Sequence, residues 1–103
     1  MVFTAGTKAY ANPILDKIDP ENKLFSLRLF RDHCIPRNQF FVKDLRVISN
    51  FSLKDMVLID NSIISFGFQM DNGIPISAFT GKSSEDKDEE LLYMVQFLEN
   101  IFM

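Results

Sequence analysis

The segment from Met56 to Ser62 constrains the fold of this chain most, because an apolar run ends there in consecutive polar side chains. It reads Met-Val-Leu-Ile-Asp-Asn-Ser. A short run rich in Val, Ile and Leu predicts a buried strand, typical of a parallel sheet that is covered on both faces. The polar end of such a strand lies at the carboxyl edge of the sheet, where open α/β folds bind their ligands.

Asp60 has two interpretations at this position. A carboxylate at the end of an apolar strand is costly unless a divalent cation or a set of buried donors pairs with it. Alternatively, Asp60 or Asn61 forms an Asx turn with the neighbouring backbone, as turn Asp and Asn residues commonly do. Taken alone, this segment favours the turn.

Length and composition indicate a globular chain of one small domain or part of a larger one. The chain has 103 residues, of which 47% are hydrophobic, a content outside the range of disordered proteins. Its apolar runs are too short to span a membrane. The first residues lack the pattern of a signal peptide, and a single cysteine, Cys34, excludes an internal disulfide framework. We therefore expect an intracellular protein without a membrane partner.

Charge is distributed unevenly along the chain, although the net charge is only −3. Basic residues outnumber acidic ones in the middle of the chain. They are Lys23, Arg28, Arg31, Arg37, Lys43, Arg46 and Lys54, against Asp32 and Asp44. This region can attract a phosphorylated or otherwise anionic partner, or it is ordinary solvated charge. The basic residues are scattered and not interleaved with aromatic residues, which argues against a nucleic-acid partner.

The first third of the chain predicts a strand, a helix and a second strand. Val2 and Phe3 look like the end of a buried strand, so the chain is expected to begin inside an element rather than before one. Apolar spacing predicts a helix that starts near Pro13, with Asn12 as its N-cap. Residues 23–30 are predicted to be a strand.

The remainder predicts further short strands and a terminal helix. Residues 31–38 are predicted to be a loop, followed by short apolar strands at residues 40–42 and, at a sheet edge because of its proline, at residues 74–76. Ser84 is expected to cap a final helix whose apolar stripe belongs to the core. This stripe comprises Leu91, Met94, Val95, Leu98, Ile101 and Phe102. The order of elements predicts an α/β layered fold.

Three polar residues follow predicted strands and would meet at one sheet edge. They are Thr4, Lys43 and Asp60, the last followed by Asn61. A hydroxyl, an ammonium group and a carboxylate in one place suit a phosphate together with a magnesium ion. A zinc site has no ligand set, because His33 and Cys34 are the only residues of their types.

The order and context of these residues resemble a known family. The matching segments run through nearly the whole chain in collinear order. They are Phe3-Thr4-Ala5-Gly6 with Lys8, Tyr10 and Ala11; Leu29-Phe30-Arg31-Asp32-His33-Cys34; Val42-Lys43-Asp44-Leu45; Leu58-Ile59-Asp60-Asn61-Ser62; and Ile74-Pro75-Ile76 with Phe79 and Glu90-Leu91-Leu92. The chain resembles the C-terminal part of the small C-terminal-domain phosphatases, also called NLI-interacting-factor-like phosphatases, of the haloacid dehalogenase superfamily.

The resemblance implies a Rossmann-like parallel sheet and a magnesium-dependent enzyme that dephosphorylates phosphoserine or phosphothreonine in proteins, such as the tail of RNA polymerase II. It implies that Thr4 binds phosphate, that Lys43 steadies an aspartyl-phosphate intermediate, and that Asp60 binds the magnesium ion. Asn61 would bond a metal-bound water, and Arg31 would lie near the substrate phosphate. A nuclear location follows only from family analogy.

One family motif is missing from these residues. The family's Asp-x-Asp-x-Thr motif, which supplies the nucleophile and the general acid and base, precedes the segment that contains Thr4. Asp86-Lys87-Asp88 has a similar spacing but the wrong context. We therefore expect residues 1–103 to form a single partial phosphatase homology domain, whose sheet lacks its central strand and which is inactive alone.

Three interpretations of such a domain stay open at the level of sequence. The residues are part of a phosphatase whose nucleophile lies outside them, or they are a truncated, non-catalytic fragment that binds phosphopeptides or regulates. Alternatively, they are a gene fragment without a function of its own. In the last case the incomplete sheet would leave backbone groups unpaired and favour self-association.

Overall fold

The computed structural model describes residues 1–79 and 89–102, with only the backbone of residue 102. Within them the chain forms a small α/β structure with two α-helices and six short strands. These elements are β1 (Val2–Phe3), α1 (Lys8–Ile18), β2 (Arg28–Leu29), β3 (Ile35–Arg37), β4 (Phe40–Val42), β5 (Leu58–Asp60), β6 (Gly73–Pro75) and α2 (Glu90–Phe102). The predicted α/β class is confirmed.

The strands pair in three separate two-stranded sheets. Strand β1 runs parallel to β2, with Phe3 opposite Leu29, and β5 runs parallel to β6, with Asp60 opposite Pro75. Strands β3 and β4 form an antiparallel hairpin. The edge position predicted for Pro75 agrees with β6, since proline cannot donate a ladder hydrogen bond.

The segment from Met56 to Ser62 forms the predicted parallel strand, but its side chains are less covered than expected. Leu58 and Asp60 are buried, whereas Val57 is 41% exposed. The prediction of a strand covered on both faces is therefore wrong at its start. Since side chains alternate between the two faces of a strand, the buried side of β5 is the one that carries Leu58 and Asp60.

Helix α1 begins five residues before the predicted start. Thr7 is its N-cap, and the Thr7 side chain accepts a hydrogen bond from the backbone N–H of Tyr10. Pro13 lies inside the helix rather than at its first position, so the predicted Asn12 cap is wrong. Proline removes one intrahelical hydrogen bond, a loss that the helix tolerates because Ala11 and Leu15 are buried in the core.

Asp19 prevents most of residues 23–30 from being a strand. Its buried carboxylate accepts hydrogen bonds from the backbone N–H groups of Lys23, Leu24 and Phe25, at 2.8, 3.0 and 3.2 Å. Burial acts to raise the pKa of Asp19, but these bonds and the charge of Arg28 outweigh it, and the pKa is lowered. Because these donors are bound to one carboxylate, residues 23–25 do not pair as a strand, and within the predicted segment the strand is Arg28–Leu29.

The predicted loop at residues 31–38 contains regular structure instead. Arg31–His33 forms a 3-10 turn, and Ile35–Arg37 forms β3 of the hairpin. The sequence did not indicate this strand, because β3 includes a proline and ends on an exposed arginine, a composition typical of loops. Asn38, at the hairpin turn, has a φ of 56°, a conformation that asparagine tolerates better than most residues.

The described core consists of two small clusters on either side of β1. Ala11, Leu15 and Phe30 form one cluster, against which Val2 packs. The other cluster is formed by Leu45, Leu58 and Phe66, with Phe3 packed against it. Because consecutive side chains of a strand point to opposite faces, β1 contributes to both clusters.

Helix α2 confirms the predicted terminal helix but not its burial. Leu91, Val95 and Ile101 are 71%, 53% and 51% exposed, so the predicted core stripe is wrong for these residues. None of the described side chains of α2 joins either cluster, since both are built from elements between residues 2 and 66. The predicted Ser84 cap and the rejected Asp86-Lys87-Asp88 motif lie outside the described residues. No helix described in the structure combines the length and apolarity needed to cross a membrane.

Gly73, the first residue of β6, lies directly against the ring of Phe66, and this close approach generates a stability prediction. A Cβ atom at this position would overlap the ring of Phe66, coming within 2.7 Å of Cδ1. We expect Gly73→Ala to destabilise the protein by about 1–3 kcal/mol, because the ring has to move within a packed cluster. Urea denaturation measures the change. Phe66→Leu should recover part of the loss in the double variant, and strictly additive effects would contradict the proposed clash.

Candidate functional site

The ends of three strands from different sheets meet around one cavity of about 390 Å³. Thr4 follows β1, Lys43 follows β4, and Asp60 ends β5 with Asn61 directly after it. All four side chains are among the residues that line the cavity. The structure thus brings together the polar residues that the sequence placed at one sheet edge.

The centre of the site is a buried ion pair. The ammonium group of Lys43 pairs with Oδ2 of Asp60, and the two side chains are only 10% and 7% exposed. Removing one partner of such a pair is strongly destabilising, because the other charge stays buried without compensation. The geometry therefore fixes both side chains at the cavity wall.

The second carboxylate oxygen of Asp60 also has a partner. Oδ1 accepts a hydrogen bond of 2.9 Å from the backbone N–H of Ser62, which is the Asx turn that the local sequence favours. Both interpretations of Asp60 therefore hold together: the carboxylate shapes the turn after β5 and has a buried cationic donor.

Thr4 presents its hydroxyl to the cavity through a similar local turn. Oγ1 accepts a hydrogen bond of 3.0 Å from the backbone N–H of Gly6. A hydroxyl that accepts in this way keeps its own proton available for donation. Gly6 helps to keep the hydroxyl accessible, since a Cβ atom there would lie 3.3 Å from Oγ1.

Arg31 lies beside the cavity but is not among the residues that line it. Its Nε donates to the carbonyl of Ala5 at 2.7 Å, and its guanidinium lies 4.8 Å from the ring centroid of Phe41. Both Ala5 and Phe41 line the cavity. Arg31 therefore contacts two residues of the cavity lining without lining the cavity itself.

Sequence reasoning missed a buried polar network next to Lys43. Asp44 is 4% exposed and accepts hydrogen bonds from Arg46 and from Nε2 of Gln69, the latter at 2.8 Å. Gln69 in turn accepts from the backbone N–H of Leu45 at 3.0 Å. The Asp-Leu-Arg sequence hints at the local part of this network, but Gln69 is 25 residues away and gives no local signal.

The network fixes the backbone on the C-terminal side of Lys43. The backbone N–H of Lys43 itself donates to the carbonyl of Ser65 at 3.1 Å. Together with the Asp44–Gln69 hydrogen bond, this joins the end of β4 to residues 65–69. Hydrogen bonds from Arg46 hold the pKa of Asp44 well below its usual range, with a further contribution from Gln69.

His33 and Cys34 have structural partners in place of a metal. Nδ1 of His33 accepts from the backbone N–H of Phe30 at 3.0 Å. The Cys34 thiol is buried and donates weakly to the carbonyls of Thr4 and Phe30, and burial raises its pKa. Among residues 1–79 and 89–102, no three His, Cys, Asp or Glu side chains cluster as a metal site would require.

The sequence profile of a family described as NLI interacting factor-like phosphatase matches residues 1–103. The chain is also similar to curated relatives over almost its full length. It is 46% identical over 98% of its residues to "CTD small phosphatase-like protein 2" of Dictyostelium discoideum, and 42% identical over 98% to "CTD small phosphatase-like protein 3" of Caenorhabditis elegans. It is 38% identical over 95% of its residues to "Nuclear envelope morphology protein 1" of Schizosaccharomyces pombe.

The matched region is a minor part of each relative. The chain spans 17%, 34% and 20% of the lengths of these three proteins, in the same order. The similarity therefore covers one region of these longer proteins.

The network around Asp44 generates a prediction about stability and pH. A carboxyl group whose pKa is lowered on folding stabilises the native state at pH values above its unfolded pKa, about 3.9 for Asp. That contribution is lost as the pH falls through the lowered folded pKa. We therefore expect Asp44→Asn to lower the thermal midpoint at pH 7, and the difference from the unaltered protein to shrink below about pH 4. Thermal unfolding followed by circular dichroism across this range measures both.

The matched control is Asp71→Asn, which makes the same change at an exposed residue. It should leave the midpoint nearly unchanged at either pH. A pH-independent loss in Asp44→Asn would show that the amide disrupts packing and that the charge of Asp44 contributes nothing.

Proposed function

The chain belongs to the NLI interacting factor-like phosphatase family, and from this premise we propose that it forms the C-terminal portion of a phosphatase domain that acts on phosphoserine or phosphothreonine in proteins. The observation that carries the proposal is the convergence of Thr4, Lys43, Asp60 and Asn61 on one cavity. A hydroxyl donor, a cation and two oxygen ligands suit a phosphate ester with a divalent metal ion.

The phosphate would bind at the Thr4 and Lys43 side of this cavity. The Thr4 hydroxyl has its proton free to donate, because Oγ1 accepts from the backbone of Gly6. The Lys43 ammonium supplies a positive charge inside a largely buried wall, where a charge-assisted hydrogen bond is stronger than in water. Arg31, positioned by the carbonyl of Ala5, would approach the phosphate from the cavity rim.

A magnesium ion would be held in the same cavity by Asp60 and Asn61. Mg²⁺ binds through one or two carboxylates and keeps several waters and substrate oxygens as ligands. Asp60 supplies one nearly buried carboxylate, and Asn61 lines the same cavity with an amide oxygen. The ion would replace Lys43 as the charge partner of Asp60 and polarise the phosphate, while Asn61 would bond a metal-bound water.

The catalytic nucleophile would come from a strand between β1 and β5. These parallel strands end at the same cavity but belong to separate sheets. An apolar groove of about 350 Å³ lies between them, lined by Phe3, Leu29, Leu58 and Ile59 among others. A strand that carries Asp-x-Asp-x-Thr would complete a Rossmann-like sheet here, in the order β2, β1, added strand, β5, β6, and place its polar residues at the cavity.

The proposal includes three finer points that rest on family resemblance. Residues 1–103 alone would be inactive, since their sequence lacks the Asp-x-Asp-x-Thr motif that supplies the nucleophile in the family. The substrate would be a phosphorylated protein such as the RNA polymerase II tail. A nuclear location would agree with the name of the fission yeast relative, a nuclear envelope morphology protein.

Asp60 supplies the test of the proposed chemistry. In the full-length product of the gene that encodes these residues, we expect Asp60→Asn to reduce phosphatase activity on a phosphoserine peptide by about 100-fold or more. The variant removes the anionic metal ligand and the partner of Lys43. Chelation of divalent ions should abolish activity of the unaltered protein, and added Mg²⁺ should restore it. Initial rates of phosphate release measure each effect.

The matched control is again the exposed Asp71→Asn, which should retain the rate. Activity of Asp60→Asn within a few-fold of the unaltered protein would contradict the metal role. A gene product that binds the phosphoserine peptide but never releases phosphate would instead support the non-catalytic alternative, a phosphopeptide-binding fragment.

The groove between β1 and β5 supplies a second test. The 103-residue chain by itself should self-associate, because two strand edges and an apolar groove are open to another chain. A chain extended by a segment with Asp-x-Asp-x-Thr should be monomeric at the same concentration. Light scattering after size exclusion measures the mass of both, and a stable monomer of 11.9 kDa would contradict the open-groove proposal.

A further inference from the structure

The tip of the β3–β4 hairpin lies at the rim of the candidate site. Arg37 pairs in register with Phe40 across the hairpin turn. Gln39, Phe40 and Phe41 all line the cavity that contains Lys43. Arg37 does not line the cavity itself, but it is an exposed residue directly opposite Phe40, which does.

Within the described residues, Arg37 shares with Arg31 the lack of an acidic partner, whereas two other nearby cations are paired. Lys43 pairs with Asp60, and the Arg46 guanidinium is bound by Asp44. In the part of the chain that the structure describes, Arg37 donates only to the carbonyl of the adjacent Pro36, at 3.1 Å. Among these residues its positive charge has no acidic partner, and Arg37 lies in register beside Phe40 of the cavity lining.

The position of Arg37 is held by an aromatic ring. Its guanidinium lies 5.5 Å from the ring centroid of Phe68, and the guanidinium of Arg46 lies 5.7 Å from the same centroid. Stacking on a ring face leaves the N–H groups at the edge of a guanidinium free to donate. Arg37 is also exposed, so an anionic group can reach those donors without displacing the ring.

We infer that Arg37 is a specificity-determining residue, which selects phosphopeptides with an anionic residue beside the phosphoserine or phosphothreonine. This inference rests on the proposed phosphatase function and adds the sequence context of the substrate. A carboxylate or a second phosphate is recognised by the same chemistry, because guanidinium donors bind both in a planar, bidentate manner. With the reacting phosphate at Thr4 and Lys43, the peptide chain would leave the cavity past Phe40 and bring a flanking side chain to Arg37.

The test compares flanking residues in otherwise identical peptides. Each peptide has one central phosphoserine. The variable residue, placed at one flanking position at a time, is Glu, a second phosphoserine or Gln. The ratio of kcat/KM for the anionic over the Gln peptide isolates the flanking contact. In the unaltered full-length protein we expect a preference of about 2–5-fold for Glu at one position, the range for an exposed ion pair. A flanking phosphoserine should give a larger ratio, since it carries more charge.

Charge variants assign this preference to Arg37. Arg37→Gln should bring the ratio to about one, and Arg37→Glu should invert it through like-charge repulsion. Lys17→Glu is the matched control, since it makes the same charge change at an exposed residue of α1, a helix that contributes no residue to the cavity lining. Lys17→Glu should keep the preference of the unaltered protein, and raised salt should weaken that preference.

The outcomes separate this inference from the function on which it rests. Hydrolysis of all peptides with a ratio near one in the unaltered protein, or with a ratio that Arg37→Glu leaves unchanged, would overturn the inference alone. An equal loss in Lys17→Glu would assign the effect to overall charge and also overturn it. If the full-length protein hydrolyses none of the peptides, the proposed function fails and the inference fails with it.

Discussion

The buried pair of Asp60 and Lys43 is the interaction on which the site depends. It joins the end of β5 to the end of β4, two strands that belong to different sheets. These two opposite charges are nearly buried and compensate one another, so removing either side chain leaves the other charge buried without a partner. The same two charges suit a cation and a phosphate. The pair that joins the ends of β4 and β5 is thus also suited to the chemistry that we propose for the site.

Further polar contacts around the pair make its geometry definite. The Asx turn from Asp60 to Ser62 directs the carboxylate, and the hydrogen bond between Asp44 and Gln69 holds the chain that follows Lys43. A charged side chain can be placed accurately only where its neighbours have no freedom to turn. Sequence similarity shows the family, whereas these hydrogen bonds explain how site residues from separate sheets are held toward one cavity.

The predictions that held and those that failed differ in their physical basis. The strand before Asp60 was predictable from its apolar run. Thr4, Lys43 and Asp60 do meet at one cavity, but not at one edge of one parallel sheet, because they follow strands of three separate sheets and β4 is antiparallel to β3. The start of α1 was not predictable, since Thr7 competes with Asn12 for the cap and burial of Ala11 and Leu15 offsets the cost of Pro13. Periodicity predicted α2 but not its exposure, because an apolar stripe shows that a face can be buried without showing what covers it.

The sequence by itself determined the family, the α/β class and the four polar residues of the cavity, since each follows from local pattern or collinear motifs. Only the tertiary structure decided how their charges are compensated. It showed Asp60 bound to Lys43, Asp44 bound to Gln69, and Arg37 opposite Phe40 of the cavity lining with its guanidinium over the ring of Phe68. These contacts join residues far apart in the chain or depend on a hairpin with little local signal. Coulomb and hydrogen-bond energies depend on distance in space, which local sequence patterns do not encode.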